Sequence, residues 1–333
     1  VPIAVTGVIA MDHLMAFPGR FPERPVAGRP HVASLAFLAE RITTRRGGAA
    51  ADIAFGLGRI GLAPVLVGAV GGDFADYQVW LKQHGVDIES VLVVPGERTA
   101  QYVCTTDAEL NRITSYHPGA SRAAYTISLR SVAARTGGLD LVMISANDPA
   151  AMHRHTEECR ALGVPFAADP ARQLAGMARK DVKCLIGGAS WLFTDEYEST
   201  MIKESTGWTT AHVLDQVRTW VTTLGAAGVR IERAGHEPCL VPAVESVTES
   251  VAQSVTGSVG ARHALRAGLL AGIARGAPPE GAAQLGCALA SFALESAGPQ
   301  EYPMDVRALL TRIRVAYGHR AAAAVRPVLA DAS

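Results

Sequence analysis

Residues 254–272, SVTGSVGARHALRAGLLAG, carry Arg262 and His263 where a glycine-containing turn is predicted to run into an apolar helix at about residue 263. Such a turn ordinarily presents bare backbone N–H groups to an anion. A guanidinium offers instead a bidentate fork for an anion, and an imidazole is a side chain whose unperturbed charge change falls near neutral pH. Proton transfer beside a bound anion is the chemistry these residue types suggest. Acidic side chains that could share it stand at predicted strand ends: Asp12 after IAVTGVIA, Asp148 and Asp169 after two later strands, and Asp195 with Glu196 and Glu198 in TDEYE. A carboxylate at a strand end accepts two hydroxyls of a vicinal diol as readily as it caps a helix or closes a turn. His153 and His155 lie two residues apart, on different faces of a helix, and no metal site is expected.

The chain that must position these groups alternates short apolar, β-branched runs with longer helical segments. Strands are predicted in residues 1–9, APVLVGAVGGD, LDLVMISAND, VPFAADPA, KCLIGGASWLFTDEYE and TWVTTLGAAGV. Helices are predicted in AAADIAFGLGRI and FADYQVWLKQHGV, over 150–162, on either side of KCLIGGASWLFTDEYE, over 263–275 and 281–296, and around 305–324. That order argues for a mostly parallel sheet with helices on both faces, whose ligand sites lie beyond the carboxyl ends of the strands. Two stretches break the alternation, 14–46 with its prolines and glycines and 98–121 with its extended segments and polar turns. They read as strands that leave the main sheet.

The composition fits such a scaffold: 333 residues, 49% hydrophobic and 19% charged, are enough for one large core with a small appended element. Lys+Arg and Asp+Glu both number 31 without a block of either sign, which argues against a nucleic-acid or anionic-membrane partner and for a small-molecule substrate. Five scattered cysteines with no CxxC spacing read as reduced thiols of a cytoplasmic protein. No run approaches the roughly 18 apolar residues of a membrane span, and residues 1–14 lack the pattern of a secretory leader.

The order of features is specific. Gly47-Gly48 open a helix at about one seventh of the chain, LFTDEYE stands mid-chain, VTTLGAAGV follows, and a glycine turn leads into ALRAG. In this order they resemble the ribokinase-like (PfkB) family of sugar and nucleoside kinases. IAVTGVIAMDHLMAFPGRF, GGDFADYQVWLKQHGV, CTTD, ISANDPAAMHRHTEECRALGVPFAADPARQL and GAAQLGCALASFALESAGPQEY are similar to actinobacterial adenosine kinases, over nearly the whole chain. The resemblance implies an α/β, ribokinase-like three-layer sandwich with a small β-sheet lid. Residues 1–13, 47–97 and 122–333 would form the large domain, and 14–46 and 98–121 the lid. It also implies Gly47 and Gly48 as the lid hinge, Asp12 as holder of the ribose hydroxyls, Tyr102 and Tyr116 as the aromatic sandwich for a base, and a homodimer through interlocked lids. Physically, aromatic faces supply stacking area for a flat ring, and tyrosines in extended segments also serve as packing.

The sequence departs from the family where phosphoryl transfer is performed. The family's motif reads Gly-x-Gly-Asp, its backbone N–H groups holding phosphate oxygens and its aspartate taking the proton of the attacking hydroxyl. Here Gly260 is followed by Arg262 in place of the second glycine and His263 in place of the aspartate, and no aspartate occurs between Asp215 and Asp305. Asp195 replaces the asparagine of an N-x-x-E motif that ends at Glu198, Asp52 replaces an asparagine after the hinge, Arg172-Gln173 replaces a glutamine pair, and Val8 stands where a polar residue is expected. Added negative charge facing a triphosphate is unfavourable unless a further cation neutralises it.

The expectation is therefore an enzyme that has lost ordinary ATP-dependent phosphoryl transfer and performs acid/base chemistry on a nucleoside-like or compact polar molecule. His263 is expected as general acid or base and Arg262 as stabiliser of an anion. Asp12, Gly47, Gly48, Asp52, Tyr102, Tyr116, Arg172 and Gln173 are expected to bind substrate. Asp195, Glu198, Thr223, Gly225 and Gly260 are expected in the former nucleotide site. No cofactor is expected. ATP and Mg enter only under an alternative, a nucleoside or sugar kinase with His263 as base; a non-catalytic nucleoside-binding pseudokinase stays open as a third reading.

Overall fold

The computed structural model describes residues 2–21, 36, 38–246 and 255–329. Much of the expected lid stretch, residues 22–35 and 37, lies outside the described residues, as do residues 247–254 ahead of the Arg262 segment. The strands are β1 Ile3–Thr6, β2 Ala10–Ala16, β3 Arg41–Gly47, β4 Val65–Gly71, β5 Val91–Val94, β6 Ala100–Thr106, β7 Arg112–His117, β8 Leu141–Ile144, β9 Phe166–Ala168, β10 Trp191–Asp195, β11 Thr219–Thr223, β12 Val229–Glu232 and β13 Cys239–Val241. The helices are α1 Ala49–Arg59, α2 Ala75–Gln83, α3 Leu129–Thr136, α4 Pro149–Leu162, α5 Arg179–Ile186, α6 Glu196–Thr206, α7 Thr210–Gln216, α8 Val255–Ala274, α9 Pro279–Leu294, α10 Val306–Tyr317 and α11 His319–Val325.

Nine strands form the large sheet in the order β13-β12-β11-β10-β9-β8-β1-β4-β5. From β11 to β5 the neighbours run parallel. Such strands are buried on both faces, and successive side chains feed two cores. Ile3 and Val5 of β1, Leu66 of β4, Phe193 of β10 and Val221 of β11 enter the core under α1, α8 and α9. Ala4, Val65 and Val67, Leu192 and Trp220 enter the other, under α3 to α7. The result is the expected three-layer α/β sandwich. The sequence reading did not anticipate β12 and β13, which run antiparallel. A tight turn at Gly225–Ala227, closed by the Leu224 N–H donating to the Gly228 carbonyl at 2.8 Å, folds the chain straight back along β11.

A second sheet, four strands in the order β3-β2-β6-β7, stands apart from the first. Its first member already begins at Ala10, so residues 10–13, expected in the large domain, pair with the small sheet. Asp12 is accordingly not at the end of the first strand; it lies inside β2, because the chain crosses between sheets at Gly7–Ile9 and then resumes extended pairing.

The segment around Arg262 also differs from expectation. Residues 255–262 form no glycine turn but are the first two turns of the twenty-residue helix α8. Gly260 serves close packing: a Cβ there would sit 2.9 Å from the Pro299 Cα. The helix expected over 305–324 is two helices that part at Gly318.

Candidate functional site

Register in the small sheet assembles the first part of the site. Asp12 of β2 pairs with Tyr102 of β6, and Tyr102 pairs with Tyr116 of β7. Directly opposed residues share a face, so a carboxylate and two phenols form a row across the sheet, facing a cavity of about 350 Å³. The large sheet's side of that cavity is built by Val8, by the start of α1 at Gly48, Ala49 and Asp52, by Asp169 with the loop at Ala171–Gln173, and by Val259, Arg262 and His263 of α8.

The two sheets meet at Gly47 and Gly48. Gly48 has φ of 99°, and a Cβ on it would fall 2.6 Å from the Ala10 nitrogen and the Val8 oxygen. Gly47 lies against the Asp12 carboxylate and is not itself in the cavity wall.

His263 projects from the third turn of α8, where its Nδ1 lies 2.8 Å from Asp52 Oδ2. Asp52 is buried in the first turn of α1, and its Oδ1 accepts from the Gln300 amide at 2.8 Å. The same amide reaches the Tyr77 hydroxyl, which donates to the Gly47 carbonyl at 2.9 Å. A neutral imidazole that donates Nδ1–H to a buried carboxylate keeps Nε2 as an acceptor, the arrangement of an oriented general base. Loss of solvation on burial, reinforced by the nearby Asp52 carboxylate and opposed by Arg45, pushes the Asp12 carboxyl up to about 7.

Arg262 is less free than expected. Its Nη1 donates to Glu198 Oε1 at 2.6 Å and its Nη2 stands 3.7 Å from Asp195 Oδ2. Asp195 and Glu198 are also locked to each other as the capping box of α6, Asp195 Oδ1 accepting the Glu198 N–H and Glu198 Oε2 the Asp195 N–H, both at 2.8 Å. Burial and the neighbouring Asp169 raise the Glu198 carboxyl while Arg262 pulls it back. Burial works against the charge of Arg262, but Glu198 and Asp169 outweigh it and its proton is held more firmly than usual.

Of the expected site residues, Asp12, Gly48, Asp52, Tyr102, Tyr116, Arg172, Gln173, Arg262 and His263 line one cavity. Asp195, Glu198 and Thr223 do not; they gather on the guanidiniums of α8. Gly225 begins the turn after β11, and Gly260 is a helix residue whose N–H is not displayed to a ligand.

The sequence reading missed Arg266 entirely. It is fully buried, donates to Asp169 Oδ2 at 3.2 Å and Thr223 Oγ1 at 2.9 Å, and stacks its guanidinium 5.0 Å from the Phe193 ring centre. A charged residue amid the small and apolar ones of ALRAG was the available signal. Gln300 and Tyr77 were missed because their role depends on a fold that brings three distant segments together.

Over residues 7–307 the sequence matches the model of the pfkB family carbohydrate kinases. The chain belongs to that family. This pfkB-family chain is 33% identical over 161 residues, 48% of its length, to a nucleoside kinase of Methanothermobacter thermautotrophicus, and the match spans about half (52%) of that relative. Its structure resembles a Burkholderia thailandensis nucleoside kinase solved in complex with inosine, with a TM-score of 0.84, 27% identity and coverage of 95% of this chain and 99% of that one. A nucleoside kinase of Methanocaldococcus jannaschii shares the fold at a TM-score of 0.79 and 22% identity, covering 94% of this chain and 98% of its own. Among the described residues no helix is long and apolar enough to cross a membrane.

Proposed function

We propose that this chain binds a nucleoside, or a polar molecule of that size, in the cavity between its two sheets and performs acid/base chemistry on it through His263, without phosphoryl transfer from ATP. The observation that carries the reading is the course of α8. Because the helix begins at Val255, the N–H groups of residues 260–263 fall beyond its first four positions and donate to carbonyls one turn back. Phosphate oxygens would find no backbone cradle there.

The rest of the cavity suits the ligand half of the reading. The Asp12 carboxyl can hold vicinal hydroxyls, Tyr102 and Tyr116 offer ring faces, and Arg172 and Gln173 add polar groups at the rim. Asp52 fixes the imidazole so that Nε2 exchanges the proton.

The family and its nucleoside kinase relatives favour a second reading, an ATP-dependent nucleoside kinase, of adenosine or inosine for instance, in which His263 replaces the usual carboxylate base. We extend the proposal to a homodimer through the small sheet. Ile42, Met15, Thr105 and Ile113 follow one another in register on the face turned away from Asp12, with Ile42 60% and Ile113 37% exposed. The five unpaired cysteines support a cytoplasmic location.

The test incubates the protein with a nucleoside panel, with and without Mg·ATP, and follows nucleosides by chromatography. Conversion without ATP that disappears in His263→Ala is expected. Conversion only with ATP would establish the second reading, and binding that survives His263→Ala with no conversion would make the chain a nucleoside-binding pseudokinase.

A further inference from the structure

In the family that the sequence resembles, the N-x-x-E motif matched by Asp195 and Glu198 organises magnesium and phosphates, and the donor set can be tested against that ion. A magnesium ion needs near-octahedral oxygen ligands, one or two of them carboxylate oxygens that are not already engaged. Here every oxygen of the pair faces a protein donor. Asp195 Oδ1 holds the Glu198 N–H and Glu198 Oε2 holds the Asp195 N–H, each at 2.8 Å. Glu198 Oε1 receives Arg262 Nη1 at 2.6 Å, and Asp195 Oδ2 faces Arg262 Nη2 at 3.7 Å. The third nearby carboxylate, Asp169, has its Oδ2 on Arg266, itself fully buried, and among the described residues only its Oδ1 is left without a hydrogen-bond partner. One unengaged oxygen flanked by two guanidiniums does not fit a divalent ion.

We infer that Arg262 is the resident cation of this site: its guanidinium closes the Asp195–Glu198 pair to divalent metal, and ligand binds in the adjoining cavity without one. The charge count supports this. The three carboxylates of Asp169, Asp195 and Glu198 are met by two guanidiniums, Arg262 and Arg266, so most of the cluster's charge is already countered without a metal ion. Arg262 also separates the pair from the cavity, since it lines the cavity and the two carboxylates do not. Unmasking follows directly. Without the guanidinium, Glu198 Oε1 and Asp195 Oδ2 would lose the donor they face, and two free carboxylate oxygens are what a largely hydrated divalent ion takes from a protein.

This deepens the proposed function, but it is tested by metal binding alone and so can fail or stand independently of any turnover. Manganese is titrated into the full chain and free Mn²⁺ is read by electron paramagnetic resonance. The wild type is expected to bind no ion that Glu198→Gln removes; any ion taken up elsewhere, for example by His153, Glu157 and Cys184, whose ligand atoms lie within 4.8 Å of one another, would be unaffected by that substitution. Arg262→Ala is expected to gain one Mn²⁺, lost again in Arg262→Ala/Glu198→Gln. A wild-type ion that disappears in Glu198→Gln would overturn the inference, as would a folded Arg262→Ala protein that gains none. Should Arg262→Ala not fold, the wild type against Glu198→Gln still decides.

Discussion

At the scale of single residues, two carboxylates of one cavity are given different tasks by their surroundings. Asp52 is buried but accepts from both Gln300 and His263, whereas Asp12 has no such donor among the described residues and is raised to about 7 by burial and by Asp52. If ionised Asp12 holds the ligand hydroxyls, affinity should fall as pH drops below about 7, and the dependence should vanish in Asp12→Asn; titration calorimetry at several pH values checks this. Stability should respond with the opposite sense. A carboxyl raised in the folded state binds more protons there than in the unfolded chain, so its contribution is fully present below the unfolded value near 3.8 and is lost as pH rises to about 7. Asp12→Asn should therefore raise the melting temperature at pH 8 and leave it nearly unchanged at pH 4. His263→Ala should lower turnover by about 10²–10⁴-fold while changing ligand affinity little, and Asp52→Asn should act in the same direction through the lost orientation of the ring.

At the scale of elements, the crossing between the sheets is the sensitive point. Gly48→Ala would put a methyl group 2.6 Å from two backbone atoms at a left-handed φ, a cost of about 1–3 kcal/mol that urea denaturation would register. The alternation of strand and helix that positions this crossing was legible in the sequence, because strands buried on both faces read as uninterrupted apolar runs. Two features were not. The antiparallel β12, folded back on β11 by the tight turn at Gly225–Ala227, and β13 after it are only four and three residues long, too short for a period to stand out. The start of α8 was misread because glycines in SVTGSVGARH are local signals for a turn, whereas Gly260 is set by the approach of Pro299 from a distant segment. The site divides in the same way. Arg262, His263 and Asp52 could be picked out as departures from a recognised pattern, but that they form one ion pair to α6 and one dyad to α1 depends on helix rotation and packing. Asp12, Tyr102 and Tyr116 stand far apart in sequence, and only the register of three strands makes them a row.

For the whole molecule, a cavity shared by two sheets means that ligand joins parts the chain connects only through short crossings. A nucleoside at one hundred times its dissociation constant should stabilise the fold by about 2.7 kcal/mol, visible as a rise in melting temperature. The exposed isoleucines of the small sheet predict a dimer in sedimentation equilibrium that Ile42→Asp with Ile113→Asp dissociates without unfolding the monomer. The most direct test of the central claim is release of ADP from Mg·ATP in the presence of adenosine or inosine. The account predicts no release above the rate without nucleoside, in the wild type and in His263→Ala alike. Nucleoside-dependent, magnesium-dependent release that His263→Ala abolishes would contradict it, and would make this histidine the base of a working kinase.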